Sequence, residues 1–248
     1  MGSNDGEDDE KPPHKVYLDA YWMGKTEVTV KQYMKFVNET KTHFPKWLEK
    51  GSAYNVETGT DDHYKKLGSA LKGDNYPIVG ISWHDASAYC DWLSKKTGFH
   101  FKLPTEAQWE KAARGIDGRE YPWGNHDPYY NGKWYANYLA HDSWEKRGED
   151  GFLYSSPVGS YGQGASPFGL LDMAGNAWEW CSDWYDSDYY KNAASKNNPA
   201  GPENGSVRVF RGGSWDYDAW YLLCANRGNN APSYGGFYLG IRLRQDIK

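Results

Sequence analysis

From Tyr121 to Pro202 the chain runs through Gly, Asn, Asp, Pro and aromatic residues with no sustained helical or strand period. A plain loop of that length does not stay ordered, because its backbone polar groups have no repeating set of partners. Something must pin it: large packed rings, bound ions, or a frame made by the rest of the chain. Strand-like runs are few and short: "KVYLDAYWM" at Lys15–Met23, "SVRVF" at Ser206–Phe210 and "FYLGIRLR" at Phe237–Arg244. The first and last lie at opposite chain ends, so a sheet that uses both closes the chain on itself.

Three helix starts are legible. Thr29 is followed three residues on by Gln32, Ser82 by Asp85, and Thr105 by Gln108, each a capping box; Gly98 and Gly115 are the stops of the second and third helices. In the second helix Ala86, Tyr89, Cys90 and Leu93 share one face, which makes Cys90 a packing residue. Trp92, Trp109 and Met34 read as packing residues too.

Of the 248 residues, 17% are aromatic, with 13 Trp and 21 Tyr, so the core rests on rings rather than on aliphatic side chains. The length suits one domain, with no internal repeat and no linker that would cut it. The formal charge of −5, with Lys and Arg scattered among acids, gives no basic field and excludes nucleic acid as a partner. Cys90, Cys181 and Cys224 have neither disulfide-framework nor zinc spacing, and no histidine pair has metal-ligand spacing. His84 and Asp85 in "WHDAS" read as part of a helix cap. No apolar run reaches the roughly 20 residues of a membrane span. Residues 1–14, "MGSNDGEDDEKPPH", read as an expression scar followed by a disordered acidic tether.

The motifs "KTEVTVKQYMKFVNET", "YPIVGISWHDASAYCDWLSKKTG", "KLPTEAQWEKAARG", "YPWGN", "SPFGLLDMAGNAWEW" and "VFRGGSW...ANR...GIRL" occur in one order from about Lys15 to Arg244. Together they resemble the formylglycine-generating enzyme (sulfatase-modifying factor) family. The resemblance implies an α+β, C-type lectin-like fold: a small twisted antiparallel sheet joining both chain ends, two to three helices, and much irregular loop. It implies one such domain over residues 15–248.

Members of that family hold structural calcium in the irregular region, which would order it. By motif, one ion would take Asp172, Glu179 and the carbonyls of Gly175 and Ala177, although the family usually has Asn at the first position. A second would take Asn137, Asp150 and the carbonyls of Tyr138 and Phe152. Mixed carboxylate and carbonyl ligands within short loops suit calcium. The alternative is a metal-free turn in which the carboxylates bond backbone N–H groups.

The family's enzymes oxidise a substrate cysteine using two cysteines just after "GGS", which bind copper or exchange with the substrate thiol. Here that stretch is "GGSWDYDAWYLL", and neither cysteine is present. No copper and no catalysis are expected. An oxidase of this type, or a related enzyme with altered chemistry, is the alternative.

Between Val207 and Arg244 there is no Lys and no Glu. Variable proteins of diversity-generating retroelements share this fold class, and in them adenines of template codons are copied promiscuously. An Asn codon can then become Tyr, Asp, Ser, Gly, Ala, Phe or His, but never Lys, Glu, Gln, Met or Trp. Asp216, Tyr217, Asp218, Tyr221, Gly228, Asn229, Asn230, Ala231, Tyr234, Gly236, Phe237 and Tyr238 all obey that restriction. Trp220 departs from it unless its template codon is AGG. The variable region then spans about 206–244. Between these positions stand scaffold residues: Gly212–Trp215, Ala225–Arg227 and Gly240–Arg242, with Leu222, Leu223 and Leu239 buried among them.

As ligand contacts the thirteen make sense, since aromatic side chains bring area at low rotamer cost and Asp, Asn and Gly bring adaptable polar contacts. The alternative for Tyr217, Tyr221, Tyr234 and Phe237 is core packing, and for Asp216 and Asp218 a solvated loop. The reading is a non-catalytic, monomeric binder of a protein or other macromolecule at the cell surface or outer membrane of a bacterium. Export and lipid anchoring would depend on a segment outside this chain. A fixed structural lipoprotein of an envelope complex is a further alternative.

Overall fold

The computed structural model describes residues 1–140, 148–191 and 196–247. All three capping boxes form. Helix α1, Val30–Thr40, starts at Thr29, whose side chain accepts from Gln32 N while Gln32 returns the bond to the Thr29 backbone. The Ser82–Asp85 pair starts α3, Trp83–Thr97, and Gly98 closes it at φ 75° in the left-handed region. Thr105 and Gln108 do the same for α4, Glu106–Arg114. Ala86, Tyr89 and Cys90 are buried as the α3 face predicts, and Trp109 is fully buried, while Trp92, Leu93 and Met34 are half-buried.

A fourth helix, α2, Asp62–Lys72, has no capping box and is broken at Gly68, where φ is 39° and ψ −106°. Both features hide it from periodicity.

The chain ends meet as expected. β1, Tyr21–Met23, and β2, Phe101–Lys102, flank β9, Arg244–Asp246, both antiparallel to it. Only the end of the Lys15–Met23 run is strand; Tyr17 makes an isolated bridge to Asn197. β3, Tyr129–Tyr130, and β4, Lys133–Trp134, form a hairpin.

The largest sheet has the order β7-β6-β5-β8, built from β5 Trp178–Trp184, β6 Arg208–Arg211, β7 Gly228–Asn230 and β8 Leu239–Gly240. Its inner strand β5 lies inside the stretch expected to be irregular. Trp178, Glu179, Trp180 and Cys181 are buried in succession, so the strand shows none of the alternation that would reveal it. Helix α4 packs on β5 and β6, and Tyr33, Phe36, Trp47, Trp178, Trp180, Phe210 and Trp215 share one core of rings.

Residues 1–14 depart from the disordered reading. Gly2 N donates to Glu110 Oε1 (2.9 Å), and Arg114 Nη1 donates to Gly2 O (2.9 Å). Arg227 Nη1 donates to Asp9 O (2.8 Å), the Tyr185 hydroxyl to Asp9 Oδ2 (2.8 Å), and Glu10 is buried. An acidic segment is tied down here because the body offers it guanidinium groups.

Candidate ligand-binding surface

The segment from Gly212 to Arg242 divides by burial. Gly212–Trp215, Ala225–Arg227 and Gly240–Arg242 are all buried, as are Leu222 and Leu239, while Leu223 is half-buried. Of the thirteen proposed contacts only Gly236 is buried; Trp220, Tyr221 and Asn229 are exposed, and the others are half-buried. Framework and surface therefore alternate along the sequence and separate in space.

Close approach and paired charge hold the framework. Gly212 has φ 103° and Gly213 φ 72°; a Cβ at Gly213 would stand 2.7 Å from Leu222. Arg211 sits between Glu106 (3.3 Å) and Glu110 (2.8 Å) and also donates to the carbonyls of Cys224 and Ala225. Arg227 grips Glu106 through Nε (2.7 Å) and Nη2 (3.0 Å). Arg242 holds Glu179 at 2.7 Å and donates to the carbonyls of Gly24, Leu171 and Asp172. A buried guanidinium is tolerable when most of its donors are filled in this way; of these three, Arg211 leaves its Nε without a partner.

The surface residues form a chain of rings. Tyr221 meets Tyr217 at 5.0 Å between centroids, Tyr217 meets Tyr238 at 5.3 Å, and Tyr238 meets Phe237 at 4.9 Å, all near edge-on. Trp178 lies beneath, 5.5 Å from Tyr217 and 6.3 Å from Tyr221. The Tyr234 and Tyr238 hydroxyls are 3.0 Å apart, and burial raises both phenols, Tyr238 to about 12, so they stay neutral donors near neutral pH.

Asp218 caps a 3-10 turn, Ala219–Leu222, by accepting from Trp220 N (2.9 Å). That turn holds Trp220 and Tyr221 outward. Asn229 and Asn230 stand on β7, and Asn230 Oδ1 accepts from Ala231 N. Gly228 differs from its neighbours: a Cβ there would lie 2.0 Å from the Phe210 ring, so the glycine is needed for packing.

A cleft of about 540 Å³ opens between this surface and residues the sequence pattern did not mark. Asp216, Tyr234, Gly236 and Phe237 line one side, and Lys46, Tyr54, Asp61, His63 and Tyr64 the other. Phe237 lies tilted against His63 (4.5 Å) and edge-on to Tyr64 (5.7 Å). The far wall belongs to the α2 region, whose broken helix gives no readable period.

Among the described residues no group of three His, Cys, Asp or Glu is placed to hold a metal ion. Carbonyl-rich calcium sites do not need one, so the two expected donor sets are judged on their own contacts. Glu179 does not fit as a ligand. Arg242 Nε lies 3.0 Å from both its oxygens, Arg242 Nη2 lies 2.7 Å from Oε1, and the Trp109 indole donates to Oε2 at 2.6 Å. Asp172 fits better, because Glu27 stands beside it. Buried Glu27 accepts from Asn176 Nδ2 (2.9 Å) through Oε1, and its carboxyl meets that of Asp172. Burial, and then the neighbouring Asp172, raise the Glu27 carboxyl well above its usual range. A cation held by Glu27, Asp172 and the carbonyls of Gly175 and Ala177 would relieve that cost.

In the second set Asp150 accepts from Tyr138 N (3.0 Å) and Phe152 N (3.1 Å), and burial raises it to about 6. Both oxygens thus bond backbone N–H groups, as in the metal-free turn, and a cation there would have to share them. Asn137 Nδ2 donates to Tyr154 O (2.9 Å), anchoring the amide. Residues 141–147 of this loop lie outside the described residues.

All three thiols are buried. Burial pushes Cys90 and Cys224 up to about 12 and Cys181 well above its ordinary value, so none is prepared to form the thiolate that oxidation or copper binding needs. The positions just after Gly213 carry Asp216, Tyr217 and Asp218 instead.

Comparison with known proteins gives the same frame. The Sulfatase-modifying factor enzyme 1-like domain model matches residues 1–247. The chain is 32% identical over 288 residues to the formylglycine-generating enzyme of Mus musculus, covering 99% of this chain and 72% of that one. It is similar to the structure of PvdO from Pseudomonas aeruginosa, with a TM-score of 0.78, 25% identity and coverage of 99% and 89%. It is likewise similar to Treponema denticola variable protein 1, with a TM-score of 0.75, 26% identity and coverage of 99% and 91%. Buried arginines, a sheet joining the chain ends and a match along the whole sequence make one point: the chain belongs to the sulfatase-modifying factor enzyme 1-like (formylglycine-generating enzyme) family.

Proposed function

We propose that the protein is a non-catalytic binder of a protein or other macromolecule, displayed at a bacterial cell surface and diversified by a retroelement at the ring-lined surface between Asp216 and Tyr238. One observation carries the reading: of the thirteen proposed contacts all but Gly236 reach the surface, while Gly212–Trp215, Ala225–Arg227 and Gly240–Arg242 between them are buried. Rings already packed on one another lose little rotamer freedom on contact with a ligand. The likeness to a variable protein supports the same reading.

Sequencing the gene in sibling isolates tests it. Differences confined to the codons of the proposed contacts, beside a reverse transcriptase gene and a near-copy of the segment differing only at adenines, are expected. A constant gene would end the reading.

In the same reading calcium braces the loops at Glu27 with Asp172 and at Asp150, and copper has no role. A chelator then lowers the melting temperature and added calcium restores it; an unchanged melt rules calcium out. The protein acts as a monomer, and an anchoring segment outside this chain attaches it to the membrane.

A further inference from the structure

A second cleft, of about 870 Å³, lies on the other side of the 3-10 turn. Asp218, Ala219 and Trp220 form one wall, and Asp127, Pro128, Tyr129, Trp134, Tyr138 and Glu149 are among the residues of the other. The hairpin β3–β4 sets Tyr129 against Trp134 at 4.3 Å, and Trp134 lies 5.9 Å from Tyr138, so the rings form a ladder. Tyr129 is 50% exposed and Trp220 43%, leaving a ring open to solvent on each wall. Leu139 N donates to Tyr217 O (2.9 Å), tying the fixed wall to the loop that bears the proposed contacts.

The polarity of the cleft is one-sided. Its acids are Asp127, Glu149 and Asp218, and no Lys, Arg or His lines it among the described residues. Asp127 and Asp218 have no ion-pair partner among those residues either, and Asp218 spends one oxygen on the Trp220 N–H. Ring faces attract cations and carboxylates pair with them, so a cleft with both, and with no cation among the described residues that line it, is complementary to Arg or Lys side chains.

We propose that this cleft docks a basic segment of the protein's partner, seating an Arg or Lys side chain between the Trp134–Tyr129 ladder and Trp220, against Asp127 and Asp218. The inference rests on the binding reading above and deepens it: the ligand surface continues from the variable residues onto a fixed wall that selects positive charge.

Titration of the full chain with a hexa-arginine peptide, followed by tryptophan fluorescence at low salt, tests this. Saturable binding is expected, weakened about tenfold by D127N/D218N and by W134A, and unchanged by the distant pair D62N/E203Q. Circular dichroism verifies that each variant is folded, and D127N/D218N keeps the test open if W134A is not. No saturable binding, equal weakening by D62N/E203Q, or preference for a neutral hexasaccharide over hexa-arginine overturns the proposal. If hexa-arginine fails while sibling genes differ only at the proposed contact codons, this inference alone falls; constant sibling genes remove the binding reading itself.

Discussion

Arg242 and Tyr238 stand four residues apart and follow opposite rules. Arg242 is fully buried, with its guanidinium filled by Glu179 and three carbonyls. Tyr238 is half-buried, meets other rings of the same surface and packs on the edge of the main core. In burial the same difference separates Arg227 from Asn229, and Trp215 from Tyr217. Where a residue is held by charge inside the protein, replacing it strands a partner; where it is held by ring edges at the surface, its neighbours adjust.

The largest break of this contrast is Arg242→Ala. It leaves Glu179 buried without its cation, and a loss of about 3–5 kcal/mol in unfolding free energy is expected from denaturant titration. A small effect would mean the framework charges are not what holds the segment.

Next is pH. Burial, and then Glu106, raise the Asp183 carboxyl from 3.8 to about 7. In the unfolded chain Asp183 ionises near 4, while in the folded protein it keeps its proton to about 7. Stability therefore falls as pH rises through that window and levels above it, by about 4 kcal/mol from this group. Asp183→Asn, which keeps the acceptor for Glu106 N, is expected to flatten the slope between pH 4 and 7; an unchanged slope would assign it elsewhere.

Gly228→Ala sharpens the contrast at its border. The new Cβ meets the Phe210 ring, so a cost of about 1–3 kcal/mol in thermal or denaturant unfolding is expected, as for other overpacked sites. That outcome moves Gly228 from the surface set to the framework. The smallest effect belongs to Tyr221→Ala, at about 0.5 kcal/mol or less, since the ring is 38% exposed and touches mainly other rings. A loss of several kcal/mol there would make Tyr221 core.

The sequence carried the helix starts almost residue by residue, because a capping box is local: Thr29, Ser82 and Thr105 each need only a partner three residues on. It carried the meeting of the chain ends through β1 and β9. It hid β5, because a strand buried on both faces loses its alternation, and it hid α2, because Gly68 breaks the period. The leader was misread for a different reason: Asp5, Glu7 and Asp8 are exposed, but Arg114 and Arg227, over a hundred residues away, hold its backbone at the carbonyls of Gly2 and Asp9.

Within the proposed ligand surface, the vocabulary of Asp216–Tyr238 marked one wall of each cleft. The opposite walls, Tyr54–Tyr64 and Asp127–Tyr138, use ordinary residues, and only the fold brings them there. Glu27 escaped in the same way, since "KTEVTV" reads as the start of a helix and its neighbour Asp172 lies far along the chain.

The most direct measurement is a display library of two halves. In one, Asp216, Tyr217, Asp218, Trp220, Tyr221, Asn229, Asn230, Ala231, Tyr234, Phe237 and Tyr238 are randomised to what an Asn codon can become; in the other, Gly212–Trp215, Ala225–Arg227 and Gly240–Arg242 are. Protease resistance on the display surface reports the folded fraction of each. Most members of the first half are expected to remain folded and most of the second to be lost. Equal losses in both halves would contradict the division of the segment into a buried frame and a replaceable surface.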